Sequence, residues 1–149
     1  MKISKNFNLS EFAVSATASA KGHTIIIPEI IIPNIIILVE NLLQPICDAT
    51  GWHDTINSGF RDDFTNNLVG GVPNSQHRTG EAADNRFFRK DGTKKIYLLP
   101  IDVLKKVVEL KLNFDQMIAY NGFVHLSYTA KRKNRKQILY NRSYTGRRL

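Results

Sequence analysis

Four histidines stand in the 149-residue sequence, and two of them keep company that could do chemistry. His77 and Asp84 lie seven residues apart in Ser75-Gln76-His77-Arg78-Thr79-Gly80-Glu81-Ala82-Ala83-Asp84. Hydrolytic metal sites combine imidazole and carboxylate ligands and leave one position open for water. Gly80 permits a sharp bend that would bring the two segments together. Ala82 and Ala83 are small enough to admit neighbouring backbone. A third candidate ligand, His125, lies in Phe123-Val124-His125-Leu126-Ser127. Two histidines and one aspartate on adjoining strands would hold Zn²⁺ and leave a fourth position free. Spacing alone leaves the plainer reading in place, because a lone histidine on a strand is more often a satisfied core or surface residue. His23 and His53 have no such company and read as surface residues.

Periodicity and turn chemistry set out the elements that must position these groups. Phe114 to Tyr120, Asn121-Gly122 and Phe123 to Tyr128 read as two strands joined by a type I′ two-residue turn. The register follows: Tyr120 opposite Phe123, and Ile118 opposite His125. Gln116, Ile118, Tyr120, Phe123, His125 and Ser127 then share one face. Asp115, Met117, Ala119, Val124, Leu126 and Tyr128 share the other. Glu81 to Phe88 reads as a strand with Asp84 and Ala82 on one face, and Asp91-Gly92 as a turn. Thr55 to Asn57 reads as a short strand, and Asp62 and Asp63 suit the first turn of a helix ending near Gly70. Helical spacing predicts helices over 34–49 and 100–112, and Asn8 or Ser10 could cap a first helix reaching toward Lys21. Gln137 to Tyr140 could add a last strand.

The size fits one domain spanning 1–149, with a real core and no disulfide staple, since Cys47 is alone. The stretch from Ile25 to Ile46 is the most apolar. Three prolines and several polar residues interrupt it, so it reads as a buried core helix and not a membrane span. Lys2 and Lys5 are followed by polar residues, so no secretory signal peptide is expected. The chain carries 21 Lys and Arg against 13 Asp and Glu, a formal charge of +8. Eight of the basic residues and no acid fall within 131–149, leaving the first 130 residues neutral. That excludes a uniformly basic nucleic-acid coat. Nucleic-acid binding through the tail would have to be salt-sensitive and lost with residues 131–149.

The pattern Ser-x-His-x-x-Gly-x-Ala-x-Asp, followed by a late apolar-x-His strand, resembles the zinc D-alanyl-D-alanine carboxypeptidases. It is shared by phage endolysin L-alanyl-D-glutamate peptidases and their short phage and bacterial relatives. Asn6-Phe7-Asn8-Leu9-Ser10-Glu11-Phe12, Leu43-Gln44-Pro45-Ile46, Ser58-Gly59-Phe60-Arg61 and Val69-Gly70-Gly71 also resemble those short relatives. So do Phe114-Asp115-Gln116 and Asn134-Arg135. The resemblance implies an α+β fold, with a small antiparallel sheet carrying a zinc site packed against helices. It implies His77, Asp84 and His125 as zinc ligands, and Arg61 in the cleft, gripping a substrate carboxylate or a developing oxyanion. The alternative for Arg61 is a salt bridge to Asp62 or Asp63. Ser75 would bind substrate or cap the turn before His77, and Gln116 shares the His125 face as a second substrate contact. The implied activity is hydrolysis of a peptide bond in the peptidoglycan stem, after release from the cytoplasm or from a virion.

One position departs from that family. Relatives carry a Glu in a run resembling Asp-Gln-Leu-Ile-Tyr-Glu-Gly-Ser-Trp-Val-His, and matched without gaps that Glu falls on Tyr120. A phenol with an ordinary pKa of about 10 is a weak base at neutral pH, though it could donate to an oxyanion. Asp115 lies on the opposite face, and so by parity does Glu81. Two readings remain: a zinc peptidase with a displaced base, or a degenerate member that keeps metal and fold as a binding or structural module. Every candidate ligand and cleft residue falls in the neutral 130 residues. The basic segment, partly a last strand, reads either as an adhesive for an anionic envelope polymer or phosphate-rich surface, or as a solvated tail with no partner.

Overall fold

Two short helical pieces replace the single N-terminal helix expected from Asn8 and Ser10. In the computed structural model, which describes residues 1–149, a 3-10 turn spans Leu9–Ala13 and α1 spans Ala16–Ala20. Extended backbone at Val14 separates them, and Ser15 opens α1 by accepting a hydrogen bond from Ala18 N at 3.2 Å.

The apolar run builds the core helix α2 (Ile32–Thr50). Pro33 sits in its first turn, where a missing N–H costs nothing, and Gly51 ends it at φ 74°. Pro45 lies inside the helix and cannot donate to the preceding turn. The helix widens into a π turn over Val39–Leu43 just before it, with Gln44 N donating to Val39 O. Ile35, Leu38, Val39, Leu42, Leu43 and Ile46 have no exposed surface, which contributes about 1.5–3 kcal/mol each. The helix is long and apolar enough to cross a membrane, but this face is packed onto the sheet, so it is a core helix.

The rest of the chain runs β1 (His53–Ser58), α3 (Asp63–Leu68), a 3-10 turn at Gln76–Thr79, β2 (Ala82–Asp91), β3 (Lys94–Tyr97) and α4 (Pro100–Glu109). It ends in β4 (Gln116–Tyr120), β5 (Phe123–Ser127) and β6 (Gln137–Tyr140). The fold is α+β: one six-stranded sheet in the order β1-β2-β5-β4-β6, with β3 paired to β2, and helices packed against it. The four pairings among β1 to β5 are antiparallel, as expected, but β6 runs parallel to β4 and the sheet is mixed. The cause is topological. The outer edge of β5 is already taken by β2, so a strand reversing from β5 must dock on the free edge of β4, and there it is parallel.

The β4–β5 register is the one the Asn-Gly spacing predicts, with Tyr120 opposite Phe123 and Ile118 opposite His125. The turn itself is different. Gly122 has φ 92° but Asn121 keeps a negative φ, so this is not a type I′ turn. The Asn121 amide is committed to the C-terminal segment, donating to Ser143 O at 2.8 Å and accepting from Thr145 N at 3.2 Å. Met117, Ala119, Val124 and Leu126 face the helices and are buried, leaving the His125 face for the site.

Candidate metal centre

Strand register assembles the floor of the site. Asp84 on β2 pairs with His125 on β5 and, across the other edge, with Ser58 on β1. With Ile118 opposite His125, the four residues form one row across the sheet. His77 arrives from above on the 3-10 turn, which Gly80 ends at φ 74°. A Cβ at Gly80 would lie 2.6 Å from Ile31 Cγ2 and 2.9 Å from Ile35 Cγ1, so the turn packs directly on α2. Both demands, left-handed backbone and close approach, select glycine.

His77 is oriented by backbone. Its Nδ1 donates to Gly59 O at 2.7 Å, which leaves Nε2 toward Asp84 Oδ1 at 3.3 Å. Gly59 can present that carbonyl because it has no side chain: a Cβ would lie 2.6 Å from Phe12 Cα. His125 Nδ1 lies 3.2 Å from the same Asp84 oxygen. The three candidate donor atoms all lie within 4.8 Å of one another. A tetrahedral ion about 2.0–2.2 Å from each ligand spaces them by about 3.3–3.5 Å. Two imidazoles and a carboxylate at 3.2 and 3.3 Å fit such an ion, and zinc suits that donor set.

The electrostatics favour the ligating forms. Burial would raise the Asp84 carboxyl, but hydrogen bonds from His125 and His77 outweigh it and hold Asp84 well below the usual carboxylate range. Burial pushes the His125 imidazole down, toward the neutral ring a metal requires.

All seven residues singled out in the sequence line one cavity of about 390 Å³: Arg61, Ser75, His77, Asp84, Gln116, Tyr120 and His125. Arg61 does not bridge to Asp62 or Asp63, which pair instead with His23 and Arg78. Its Nη2 lies 3.7 Å from Asp84 Oδ2, its Nε reaches Ser58 Oγ at 3.4 Å, and its backbone N donates to His77 O at 2.9 Å. Ser75 Oγ accepts from His77 N at 3.3 Å, so it braces the turn as well as lining the cavity. Gln116 donates to Gln137 Oε1 at 2.7 Å. Tyr120 stacks on Phe123, ring centroids 4.4 Å apart. Burial pushes its phenol up, with Asp84 adding and Arg61 opposing, so it is a proton donor at neutral pH.

The sequence profile of the peptidase M15 family matches residues 5–127. The chain belongs to the peptidase M15 family. These are zinc peptidases of the D-alanyl-D-alanine carboxypeptidase and endolysin type. No curated protein matches the chain.

Three features of this M15 domain escape the sequence reading. The Gly59 carbonyl orients His77. Asn66, buried in α3, accepts from Arg61 Nη1 at 3.4 Å and donates to Val72 O at 3.0 Å, bracing the arginine and the loop beside it. Arg135 lines the cavity, which corrects the expectation that the neutral 130 residues hold every cleft residue. For Arg135 the resemblance of Asn134-Arg135 to the family was the signal, but it carried no role for the side chain. His23, expected at the surface, is half-buried, with its Nε2 2.6 Å from Asp62 Oδ2. Glu81 is buried and tied to Thr79, and it does not line the cavity. Asp115 does not line it either.

Proposed function

We propose that this M15 domain hydrolyses a peptide bond in the peptidoglycan stem, as a cell-wall lytic or remodelling enzyme of a phage or a bacterium. The observation that carries the reading is the convergence of His77, Asp84 and His125, with Asp84 3.3 and 3.2 Å from the two imidazoles, and of Arg61 on one open cavity. The chemistry a zinc ion supplies there is that of a Lewis acid, giving a more acidic water and a polarised carbonyl. The Gly59 carbonyl keeps His77 Nε2 free to ligate, and the two histidines keep Asp84 ionised. The Arg61 guanidinium makes only long contacts, 3.4 Å and beyond, so its donors are available to an oxyanion or a substrate carboxylate. Tyr120 adds a phenol donor on the His125 face. Ser75 and Gln116 supply polar contacts to the peptide backbone.

The test is direct. Purified protein with stoichiometric zinc is incubated with isolated peptidoglycan, and new amino and carboxyl termini are measured. Their appearance, abolished by His77→Ala, supports the reading, and their absence sinks it.

One observation favours a second reading, in which the domain keeps metal and fold but serves as a binding or structural module. Asp84 is the only carboxylate lining the cavity, so no side chain there stands ready to take a proton from water. The exposed basic residues Lys133, Lys136, Arg142 and Arg147 would hold either form of the protein on an anionic envelope polymer.

A further inference from the structure

We propose that Arg135 reads a carboxylate of the peptide substrate, so that the cleft selects peptides with an anionic group besides the one Arg61 can take. This rests on the peptidase reading for the identity of the ligand, but not on turnover.

The starting point is Asp115, a carboxylate with no exposed surface at the head of β4. Its two oxygens offer about four acceptor positions. Four donors already fill them. Arg132 donates through Nη1 to Oδ1 at 2.7 Å and through Nη2 to Oδ2 at 3.0 Å. Arg135 donates its backbone N–H to Oδ1 at 2.9 Å, and Gln76 donates Nε2 to Oδ2 at 3.0 Å. The Arg135 guanidinium comes on top of these, with Nη2 at 2.8 Å and Nε shared between 3.2 and 3.3 Å. Asp115 is satisfied without it. Two arginines face one carboxylate, so one positive charge is left over.

That charge borders the site. Arg135 lines the cavity and Arg132 does not. Arg135 Nη1 has no hydrogen-bond partner in the protein, while the other edge of the guanidinium is held by Asp115. The fork is thus fixed in place with one side unused, which lowers the entropy lost on binding an anion. Arg61 and Arg135 are the two cationic side chains of the cavity wall, against Asp84 as its single acid. A zinc ion on Asp84 would leave Arg61 without its acidic neighbour, beside an Arg135 that shares Asp115 with Arg132. A ligand carrying one carboxylate would satisfy one of them, and a ligand with two would satisfy both.

In a lysine-type stem peptide, whose glutamyl residue is linked onward through its side chain, that carboxylate is either the C-terminal one or the glutamyl α-carboxylate. The experiment separates them. Zinc-loaded protein is titrated calorimetrically with a synthetic stem tetrapeptide, with its C-terminal mono-amide and with its glutamyl mono-amide. Parent, Arg135→Gln, Arg135→Lys and Arg132→Gln are compared, each checked for folding by near-ultraviolet circular dichroism. Loss of a charge-assisted hydrogen bond predicts that Arg135→Gln weakens the free peptide by about tenfold to a hundredfold. The same variant leaves one of the two mono-amides unchanged, and that amide identifies the group Arg135 reads. Arg135→Lys regains part of the preference. Arg132→Gln strips two hydrogen bonds from Asp115 and removes the surplus charge but leaves the Arg135 fork in the cavity wall, so it weakens the free peptide less than Arg135→Gln does and separates the two mono-amides less sharply. The proposal is overturned if Arg135→Gln weakens acid and amides alike, if Arg132→Gln has the same effect, or if the parent binds no free peptide. Tight, Arg135-dependent binding without cleavage would instead sink the peptidase reading and leave this one standing.

Discussion

Replacing Tyr120 by glutamate puts a carboxylate where the relatives carry one, and the structure sets what should follow. Position 120 pairs with Phe123, two residues before His125 on the facing strand, and its side chain lines the same cavity as the metal cluster. A positioned general base contributes about 10²–10⁴ in rate, or about 2.7–5.5 kcal/mol off the barrier. The cost to the fold is smaller. The substitution gives up the stack on Phe123, 4.4 Å between centroids and 9° between planes, worth about 0.5–1.5 kcal/mol. Tyr120 is only half-buried at the end of β4, so the variant should fold. The introduced carboxylate would meet the same two charges that act on the phenol, Asp84 raising its pKa and Arg61 lowering it.

The assay is stem-peptide cleavage by parent and Tyr120→Glu at matched zinc content, with kcat and KM measured from pH 5 to 9. We expect kcat at neutral pH to rise by 10²–10⁴ with little change in KM. The parent, which has no carboxylate base, should climb in rate across the whole range. The variant should show an acid limb from the new carboxylate and level off near neutrality. A silent parent beside an active variant identifies the natural protein as the degenerate form. A folded, zinc-bound variant that gains less than about tenfold would refute the placement of the base at this corner of the hairpin.

Three further outcomes test how the site is held. Asp115→Asn leaves Arg132 and Arg135 without their buried partner and should cost about 3–5 kcal/mol in urea unfolding. Burial would raise Asp115, but hydrogen bonds from Arg132 and Arg135 hold it well below the usual range. Its contribution is therefore complete above the unfolded value of about 3.9 and fades as pH falls through the lower folded value, a loss the Asn variant should not show. Asp54→Asn has the opposite sign. Both Asp54 oxygens are buried without a partner, and burial with the nearby Glu11 pushes the carboxyl well up. The parent therefore loses stability as pH rises from about 3.9 toward the folded value, and the Asn variant should be about 1–3 kcal/mol more stable at pH 7, with the gain gone near pH 4. Gly80→Ala meets positive φ and the side chains of Ile31, just before α2, and Ile35 on it, and should cost about 2–4 kcal/mol in stability and weaken zinc binding measured by chelator competition.

What could be read in the sequence was local. The β4–β5 register follows from two β-rich runs around Asn121-Gly122, because a two-residue loop leaves one pairing that keeps Met117, Ala119, Val124 and Leu126 on a single face. The ligand motif was readable for a similar reason: Gly80 and the alternation of β2 put His77 and Asp84 on a short leash. Long-range partners were not readable. The parallel placement of β6 depends on β2 having occupied β5. The negative φ of Asn121 goes with partners more than twenty residues away. Pro45 read as an interruption of the apolar run, yet α2 passes through it by widening one turn earlier. Parity put Asp115 on the face away from Tyr120, which is correct for a base and silent about its role as an anchor.

That anchor changes what the +8 charge means. A basic tail attached to a neutral domain reads as an adhesive, separable from the chemistry. Here the first strongly basic turn of the tail is part of the site's frame. Arg132 and Arg135 converge on Asp115, and Asp115 also holds Gln76, the residue before the ligand His77. The Arg135 backbone N–H is fixed to the same carboxylate, and Lys136 N and Gln137 N continue onto Phe114 O and Asp115 O, leading directly into β6. Removing residues 131–149 would therefore strip an edge strand, unpair a buried carboxylate and loosen the ligand turn all at once. A loss of activity in that truncation could not be assigned to lost adhesion. The charges that can be removed without touching the frame are Lys133, Lys136, Arg142 and Arg147, whose side chains are exposed and hold no acidic partner. Neutralising those four separates the two roles. Binding to an anionic polymer would weaken and its salt dependence flatten, while zinc affinity and small-peptide binding stay as they were.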